Sequence, residues 1–168
     1  HNYMLFFTDK GKCYWLKVYD IPQGGRAARG RAIVNLIGCE PNEKVEAFVS
    51  VKEFDDEHYI VMATEKGIVK KTVLSAYGKP RKGGIYAIEI RDGDKLIEAR
   101  ISNGEHDILL GTSEGKSIRF SENDIRPSGR KTMGVKGIKL GSEKDRLVGM
   151  LVVRREGTVL VATEKGMG

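Results

Sequence analysis

Short apolar stretches alternate with polar turns along the chain, and their order repeats. In the second copy of the pattern, apolar residues 59–63 are followed by Gly67, and further stretches lie at 68–72, 85–90 and 96–101. Stretches of this length, rich in Val and Ile and bounded by Gly or Asp, are typical of β-strands. The pattern therefore predicts four antiparallel strands in each copy, which is the composition of a propeller blade.

The other copies follow the same order. The first has its apolar stretches at residues 5–7, 14–16, 32–37 and 45–51, and the third at 108–111, 117–120, 135–140 and 147–153. A single helical turn is predicted at 74–77, with Ser75 near its cap. The fold class predicted from these patterns is all-β, a propeller-like toroid of four-stranded blades.

Two short markers set the length of the repeat. A Thr-x-x-Gly hairpin signal ends at Gly11, Gly67, Gly115 and Gly166, and an acidic turn runs into an apolar strand at 43–45, 94–96 and 145–147. A repeat of about 50 residues is typical of propeller blades. We divide the chain into units of roughly residues 1–57, 58–105 and 106–156, with the start of a further unit at 157–168. Such a chain leaves sheet edges without partners, so we interpret it as about three blades and part of a fourth from a larger toroid.

Charge is distributed unevenly along the repeats. The formal net charge is +6, and three stretches in equivalent places of the units contain 13 of the 29 basic residues and none of the 23 acidic ones. We call these stretches the first (22–31), second (70–82) and third (126–139) basic segments. Their candidate DNA-binding residues are Arg26, Arg29 and Arg31, then Lys70, Lys71, Lys79, Arg81 and Lys82, and then Arg126, Arg130, Lys131 and Lys136, with Lys139 completing the third segment.

The repetition of the basic segments favours a nucleic-acid partner. A single charge run is usually a solvated surface, but three equivalent runs on Gly-rich loops predict contact with a phosphate backbone. Aromatic residues near the segments are few, Tyr77 and Tyr86 among them, and single-strand binders stack bases on aromatic rings. Double-stranded DNA, bound without sequence preference, is therefore the predicted partner. A protein-interaction propeller is the alternative, although such proteins usually present apolar hot spots.

The sequence offers no set of catalytic or metal-ligating residues. It lacks a phosphate-binding loop, and His1, His58 and His106 mark one repeat position, just before a first strand, instead of a converging ligand set. We expect no catalytic residue, metal or cofactor in this chain. Cys13 and Cys39 are predicted to be reduced thiols of a cytoplasmic protein. No stretch is long and apolar enough to predict a membrane span.

Several motifs resemble one known family, the C-terminal domain of the DNA gyrase A subunit. The residues that carry the resemblance are Leu5-Phe6-Phe7-Thr8-Asp9-Lys10-Gly11, Ala28-Arg29-Gly30 with Ile33-Val34-Asn35-Leu36, the run from Met62 to Thr72, Ile118-Arg119-Phe120, and Val135-Lys136-Gly137-Ile138. The resemblance implies a six-bladed β-pinwheel whose blades exchange strands with their neighbours. It also implies that the domain wraps duplex DNA around a positive rim, formed here by the basic segments.

The same resemblance implies a role within a larger enzyme. The family serves a bacterial, nucleoid-associated type IIA topoisomerase that introduces negative supercoils, with ATP and Mg²⁺ as cofactors of the whole enzyme. The N-terminal domains of gyrase A and the gyrase B subunit are the implied partners. The cleavage tyrosine and the ATPase of that enzyme lie outside this domain.

One motif of the family is missing from the chain. The heptapeptide Gln-Arg-Arg-Gly-Gly-Lys-Gly does not occur, and the nearest stretch, residues 25–31, lies in a different blade. The C-terminal domain of the topoisomerase IV protein that corresponds to gyrase A is therefore a second possibility within the resemblance. The clean repeats favour gyrase, because the sister domain has fewer or more degenerate blades.

Overall fold

The computed structural model describes residues 2–154 and 157–166, and strands make up most of its regular structure. The strands are Tyr3–Thr8 (β1), Lys12–Lys17 (β2), Val45–Val51 (β3), Tyr59–Thr64 (β4), Ile68–Val73 (β5), Ile85–Tyr86 (β6), Leu96–Ser102 (β7), Asp107–Thr112 (β8), Ser117–Ser121 (β9), Val135–Lys136 (β10) and Leu147–Val153 (β11). One short helix, Val34–Ile37 (α1), and single 3₁₀ turns at Val18–Asp20, Leu74–Tyr77 and Glu122–Asp124 complete the described elements. The all-β prediction is confirmed, as is the helical turn at 74–77.

The strands form three antiparallel sheets, in the orders β3-β1-β2-β6, β10-β5-β4-β7 and β11-β8-β9. Each sheet is centred on the hairpin of one unit. In the first two sheets, however, one edge strand comes from the unit that follows, β6 in the first sheet and β10 in the second. Ile85 of β6 pairs with Cys13 of β2, and Val135 of β10 pairs with Val69 of β5. The strand pattern predicted each third strand inside its own unit, and that prediction is wrong. The strand exchange implied by the resemblance is confirmed.

The third strands are also shorter than predicted, with two residues each in place of 85–90 and 135–140. Pairing stops where the backbone turns to the hairpin glycine of the preceding unit. Ala87 N–H donates to the Gly11 carbonyl at 2.8 Å, and Gly137 N–H donates to the Gly67 carbonyl at 2.8 Å. These bonds dock the third strand of one unit onto the hairpin of its neighbour.

Residues 32–37, predicted as the third strand of the first unit, contain helix α1 instead. Within the described residues no strand of a preceding unit is available to pair with this stretch. Ile37 packs on Phe6 and Tyr14, so the helix covers one face of the first sheet. Gly38 ends the helix at φ +66°, a left-handed conformation that glycine adopts without penalty.

The hairpin signal works through its threonine and its glycine. Thr64 Oγ1 accepts the N–H of Ile68 at 3.2 Å, and Gly67 has a φ of +84° that closes the turn. The same threonine bond forms in the first and third units. In the start of the further unit, Gly166 N–H donates to the Thr163 carbonyl, while residues 157–161 are exposed and form no strand in the described structure. Residues 1, 155, 156, 167 and 168 of the predicted units lie outside the described residues.

The core lies between the sheets. Ile60 and Met62 of β4 face one apolar cluster shared with the first sheet, whereas Val61 and Ala63 face a second cluster shared with the third sheet. Successive side chains of a strand point to opposite faces. Both faces of the middle sheet are therefore buried, and this determines where the charged residues of β5 can go.

Candidate nucleic-acid interface

The first basic segment lies on the surface between the 3₁₀ turn at Val18–Asp20 and helix α1. All of its residues are exposed, including Arg26, Arg29 and Arg31. One backbone bond, from Ala28 N–H to the Gly25 carbonyl at 2.9 Å, forms a turn within it. These three guanidinium groups are thus placed where a phosphate could reach them.

The second basic segment divides into a buried part and an exposed part. Lys79, Arg81 and Lys82 lie in the loop after the 3₁₀ turn and are exposed. Gly84 closes this loop at φ +75° directly over the ring of Tyr14, where a Cβ would come within 2.9 Å of Cε1. The end of this loop therefore packs against Tyr14 of the first unit, although the loop belongs to the second unit in sequence.

Lys70 lies on β5 and is fully buried. Its ammonium donates to the Ala87 carbonyl at 2.5 Å and to the Arg130 carbonyl at 2.6 Å. Burial, and after it the neighbouring Arg130, lower the pKa of Lys70 to about 8. An ammonium enclosed in this way cannot touch a DNA backbone, so the prediction that Lys70 contacts DNA is corrected.

Lys71 is buried on the opposite face of β5, with 3 % of its surface exposed. Its Nζ lies 3.2 Å from Glu122 Oε1 and 4.4 Å from the centre of the Tyr59 ring. Glu122 is itself fully buried and also accepts the Ser102 hydroxyl at 2.9 Å. Lys71 is part of an enclosed ion pair between the second and third units, and its predicted role in DNA contact is likewise corrected.

For Lys71, the sequence contains one sign of a buried counterion. A strand whose two faces both pack has no solvent side, so consecutive charges on it must be neutralised inside the protein. Glu122 occupies the repeat position of the apolar Leu74, seven residues after the hairpin glycine in each case. A carboxylate at an apolar repeat position is the counterpart that the charge of Lys71 required.

The third basic segment lies beside the second. Arg126, Lys131, Lys136 and Lys139 are exposed, whereas Arg130 is half-buried. Arg130 Nη1 donates to the carbonyl of Tyr86 at 3.0 Å, and Lys131 Nζ lies 5.6 Å from the centre of the Tyr86 ring. The third basic segment therefore contacts β6, the strand that follows the exposed loop of the second segment, and it meets the second segment itself at Lys70 and Lys71.

The acidic turns have structural roles that account for their separation from the basic segments. Glu43 is buried and accepts the Tyr14 hydroxyl at 2.5 Å and the Glu40 N–H at 3.0 Å. Asp94 accepts the Lys66 N–H at 3.0 Å, and Asp145 accepts the Glu114 N–H at 3.0 Å. In each unit one carboxylate thus fastens the acidic turn to the hairpin signal, in the first unit through the Thr8 hydroxyl and in the other two through an N–H of the hairpin turn.

A polar hollow of about 710 Å³ adjoins the third basic segment, between the second and third units. Its lining includes the acidic Glu65, Glu143 and Asp145 as well as the basic Lys136, Lys139, Lys66, Lys144 and Arg146. The last three lie outside the basic segments, in the hairpin turn and the acidic turn, so they were not predicted as site residues. Only the packing of two units places them beside the third segment.

The histidine, cysteine and carboxylate side chains of the described residues are possible metal ligands. In the described parts of the chain, no group of three His, Cys, Asp or Glu side chains is arranged to hold a metal ion. His58 Nδ1 lies 2.8 Å from Asp55 Oδ2, His106 adjoins Glu122, and His1 lies outside the described residues. Cys13 and Cys39 are free thiols. None of the helices found in residues 2–154 and 157–166 could cross a membrane.

Comparison with known proteins identifies one family. A family model described as the DNA gyrase C-terminal domain, a beta-propeller, matches residues 2–52, 58–103 and 106–154. The chain is 53 % identical over 137 residues to the DNA gyrase A protein of Clostridium acetobutylicum, with 82 % of this chain and 16 % of the relative covered. It is 46 % identical over 169 residues to that of Chlamydia muridarum, covering 99 % of this chain and 20 % of the relative.

The same similarity extends to other relatives and to solved structures. The DNA gyrase A protein of Escherichia coli is 43 % identical over the full chain, which spans 19 % of that relative. The C-terminal domain of DNA topoisomerase IV superposes with a TM-score of 0.82 at 26 % identity, covering 91 % of this chain and 47 % of the other. A DNA gyrase A C-terminal domain superposes with a TM-score of 0.75 at 25 % identity, covering 92 % and 48 %.

Proposed function

The chain belongs to the family of DNA gyrase C-terminal domains, and from that premise we propose that it binds duplex DNA through the phosphate backbone, without sequence preference. The observation that carries the proposal is the exposure of cations on all three basic segments, at equivalent places of the repeat and without an acidic residue among them. Lys and Arg that contact phosphates position a duplex but do not read its bases.

The residues proposed to contact DNA are the exposed cations of the three basic segments. It consists of Arg26, Arg29, Arg31, Lys79, Arg81, Lys82, Arg126, Lys131 and Lys136, with Arg130 at its margin. Lys70 and Lys71 are left out because they are buried. Lys139 and the cations of the adjoining hollow extend the same surface.

A larger role follows from the same proposal. The chain spans 16 to 20 % of the length of the gyrase A proteins described above. We propose that it bends and wraps DNA for an ATP-dependent type IIA topoisomerase on the bacterial nucleoid, in the cytoplasm. ATP, Mg²⁺, the gyrase B subunit and the N-terminal domains of gyrase A would then act outside this chain.

Topoisomerase IV is the main competing assignment within the fold. The superposition on its C-terminal domain gives the higher TM-score, 0.82 against 0.75, at nearly equal identity. Sequence identities of 43 to 53 % to three gyrase A proteins favour gyrase. Backbone similarity reflects the architecture that the two domains share, so the preference for gyrase rests on the identity to the gyrase A proteins.

The salt dependence of binding tests the phosphate contacts. If about five to eight phosphates are neutralised, the logarithm of the binding constant should fall with the logarithm of salt concentration at a slope of about −4 to −7. Fluorescence anisotropy on two duplexes of unrelated sequence measures that slope. A slope near zero, or equal affinity for polyglutamate, would refute the proposal.

A charge-reversal pair tests where the contacts lie. Arg81→Glu with Lys82→Glu should weaken binding by about tenfold or more at moderate salt. Lys10→Glu with Lys44→Glu changes the net charge equally, at exposed residues outside the basic segments, and should have a much smaller effect. Equal loss in both double variants would show that net charge alone drives binding and that the assigned surface is wrong.

A further inference from the structure

The buried ammonium of Lys70 lies where the backbones of two units meet. Ala87, which accepts one of its hydrogen bonds, follows strand β6 of the second unit, and Arg130, which accepts the other, belongs to the third basic segment. The two carbonyls are 43 residues apart in sequence and meet at one side chain. A buried ammonium needs polar partners to offset its desolvation, and here the partners are these two backbone carbonyls.

The loop that precedes β10 is fastened around this point. Arg130 Nη1 donates to the Tyr86 carbonyl at 3.0 Å, and Glu89 N–H donates to the Thr132 carbonyl at 3.0 Å. At its start, Ser128 N–H donates to the Lys71 carbonyl at 2.8 Å. The loop thus crosses β5 and reaches the third strand of the preceding unit, with Lys70 beneath its centre.

We infer that Lys70 is a positioning residue for DNA binding: by holding the Ala87 and Arg130 carbonyls together, it sets the third basic segment against the second as one continuous cationic surface. This inference rests on the proposed function. Lys70 acts through Arg126 and Lys131, which are exposed beside the held backbone and would touch the phosphates. Pre-set loops bind more tightly because less conformational entropy is lost on binding.

The repeat shows that the charge of Lys70 is not needed for the strand itself. The equivalent position, three residues after the hairpin glycine, is Tyr14 in the first unit and Ile118 in the third. Lys70→Met should therefore fold, since the fold accommodates uncharged side chains at this place. The first basic segment, which has no comparable anchor among the described contacts, serves as the internal reference.

The experiment compares Lys70→Met with the unchanged chain at a temperature where both are folded. Duplex affinity should fall about tenfold and the salt slope should become shallower by about one to two, as expected for the loss of one or two phosphate contacts. Phe6→Ala removes a buried side chain from a cluster that contains no residue of β6 or of the second or third basic segment, and it should cost stability while leaving the salt slope unchanged. Unaltered affinity and slope in Lys70→Met would overturn the inference.

A double-mutant cycle separates positioning from general destabilisation. In a background of Arg126→Ala with Lys131→Ala, Lys70→Met should cause little further loss of affinity, because the side chains it positions are gone. In a background of Arg26→Ala with Arg29→Ala, its full effect should remain. Additive losses in both backgrounds would show that Lys70 does not act through the third segment.

A second variant, Gly134→Ala, perturbs the loop that precedes β10 without changing a charge. Gly134 has a φ of +86°, and a Cβ there would come within 2.5 Å of the Val69 carbonyl, so Gly134→Ala should displace the loop and weaken binding similarly. Trypsin cleavage after Arg130 and Lys131 should accelerate in both variants, whether or not DNA binds. If the unchanged chain binds no DNA, the proposed function fails; if it binds and cleavage and affinity are unaltered in both variants, only the positioning role fails.

Discussion

At the scale of single residues, buried carboxylates join the turns to one another. Glu43, Glu122 and Asp145 are each nearly or fully buried, and each accepts several hydrogen bonds. Their donors come from neighbouring turns and strands, so these carboxylates hold separate parts of the fold together. Because they are buried, they are not part of the surface proposed to contact DNA.

Asp145 should make stability depend on acidity. Burial alone would raise its pKa, but hydrogen bonds from the Gly141 and Glu114 N–H groups and from the Thr112 and Ser113 hydroxyls outweigh it and lower the pKa to about 2. Because the folded pKa lies below the ordinary aspartate value of 3.8, the ionised form stabilises the fold above that value, and this contribution is lost as pH falls towards 2.

The measurement for Asp145 is urea unfolding at a series of pH values. Asp145→Asn should be less stable at neutral pH and should show a smaller loss of stability between about pH 4 and pH 2. Glu143→Gln, at an exposed neighbour, is the matched control and should follow the unchanged chain. Parallel curves for Asp145→Asn and the unchanged chain would contradict the assignment.

Removing one partner of the Lys71–Glu122 ion pair should destabilise the protein strongly, whereas replacing both partners with apolar side chains should not. Glu122→Ala leaves a buried ammonium without its carboxylate and should destabilise the protein by about 3–5 kcal/mol. Lys71→Met with Glu122→Leu, which restores the apolar residue found at Leu74, should recover most of that loss. Chemical denaturation of the single and double variants measures both, and a double variant no more stable than Glu122→Ala would refute this account.

At the scale of elements, the hairpin glycines hold the neighbouring third strand. The Gly67 carbonyl accepts the Gly137 N–H, and a Cβ at Gly67 would come within 2.9 Å of the Ile138 carbonyl. The hairpin and the docking of β10 therefore depend on the same residue. The same docking occurs at Gly11, whose carbonyl accepts the Ala87 N–H.

Gly67→Ala should weaken both the turn and the docking. Its positive φ alone disfavours Ala by about 1–2 kcal/mol, and the close backbone contact adds to this. We expect a loss of about 2 kcal/mol or more in urea unfolding, with faster amide exchange at Gly137. Gly83→Ala, where a Cβ would meet nothing within 4 Å, should be near neutral, and a similar loss there would show that glycine content alone sets stability.

At the scale of the whole molecule, exchanged strands and shared cores join the units into one body. The middle sheet contributes to the apolar clusters on both of its sides, and β6 and β10 each belong in sequence to one unit and in space to another. Repeat proteins gain stability from such interfaces between neighbouring units. Unfolding of one described unit while the others stay folded should therefore be unfavourable.

One cooperative unfolding transition is the expected result. Trp15, stacked on Tyr3 in the first unit with ring centres 4.7 Å apart, reports unfolding there by fluorescence, and amide exchange in β8 reports it in the third unit. Coincident midpoints in urea are expected for a two-state unit. An earlier transition of Trp15 would show that the first unit unfolds by itself.

The sequence by itself determined the features that depend on local chemistry. The Thr-x-x-Gly turns, the 3₁₀ turn at Leu74–Tyr77 and the long strands such as β4 and β7 form where the pattern predicted them. Turn geometry follows from a threonine hydroxyl and a glycine a few residues apart, and strand formation follows from local periodicity. The exposed parts of the basic segments were predictable for the same reason, since Gly-rich polar loops remain at the surface.

Only the tertiary structure decided which unit each third strand joins, that residues 34–37 form a helix, and that Lys70 and Lys71 are buried. These outcomes depend on which neighbour lies across a sheet edge or above a sheet face, and such contacts join residues far apart in the chain. Alternation along β5 separates its two faces but does not tell whether either one meets water. In this fold both faces of β5 pack against other parts of the protein. Lys70 and Lys71 are therefore buried, although they lie in a basic run that the sequence suggests is exposed, and their contacts link neighbouring units.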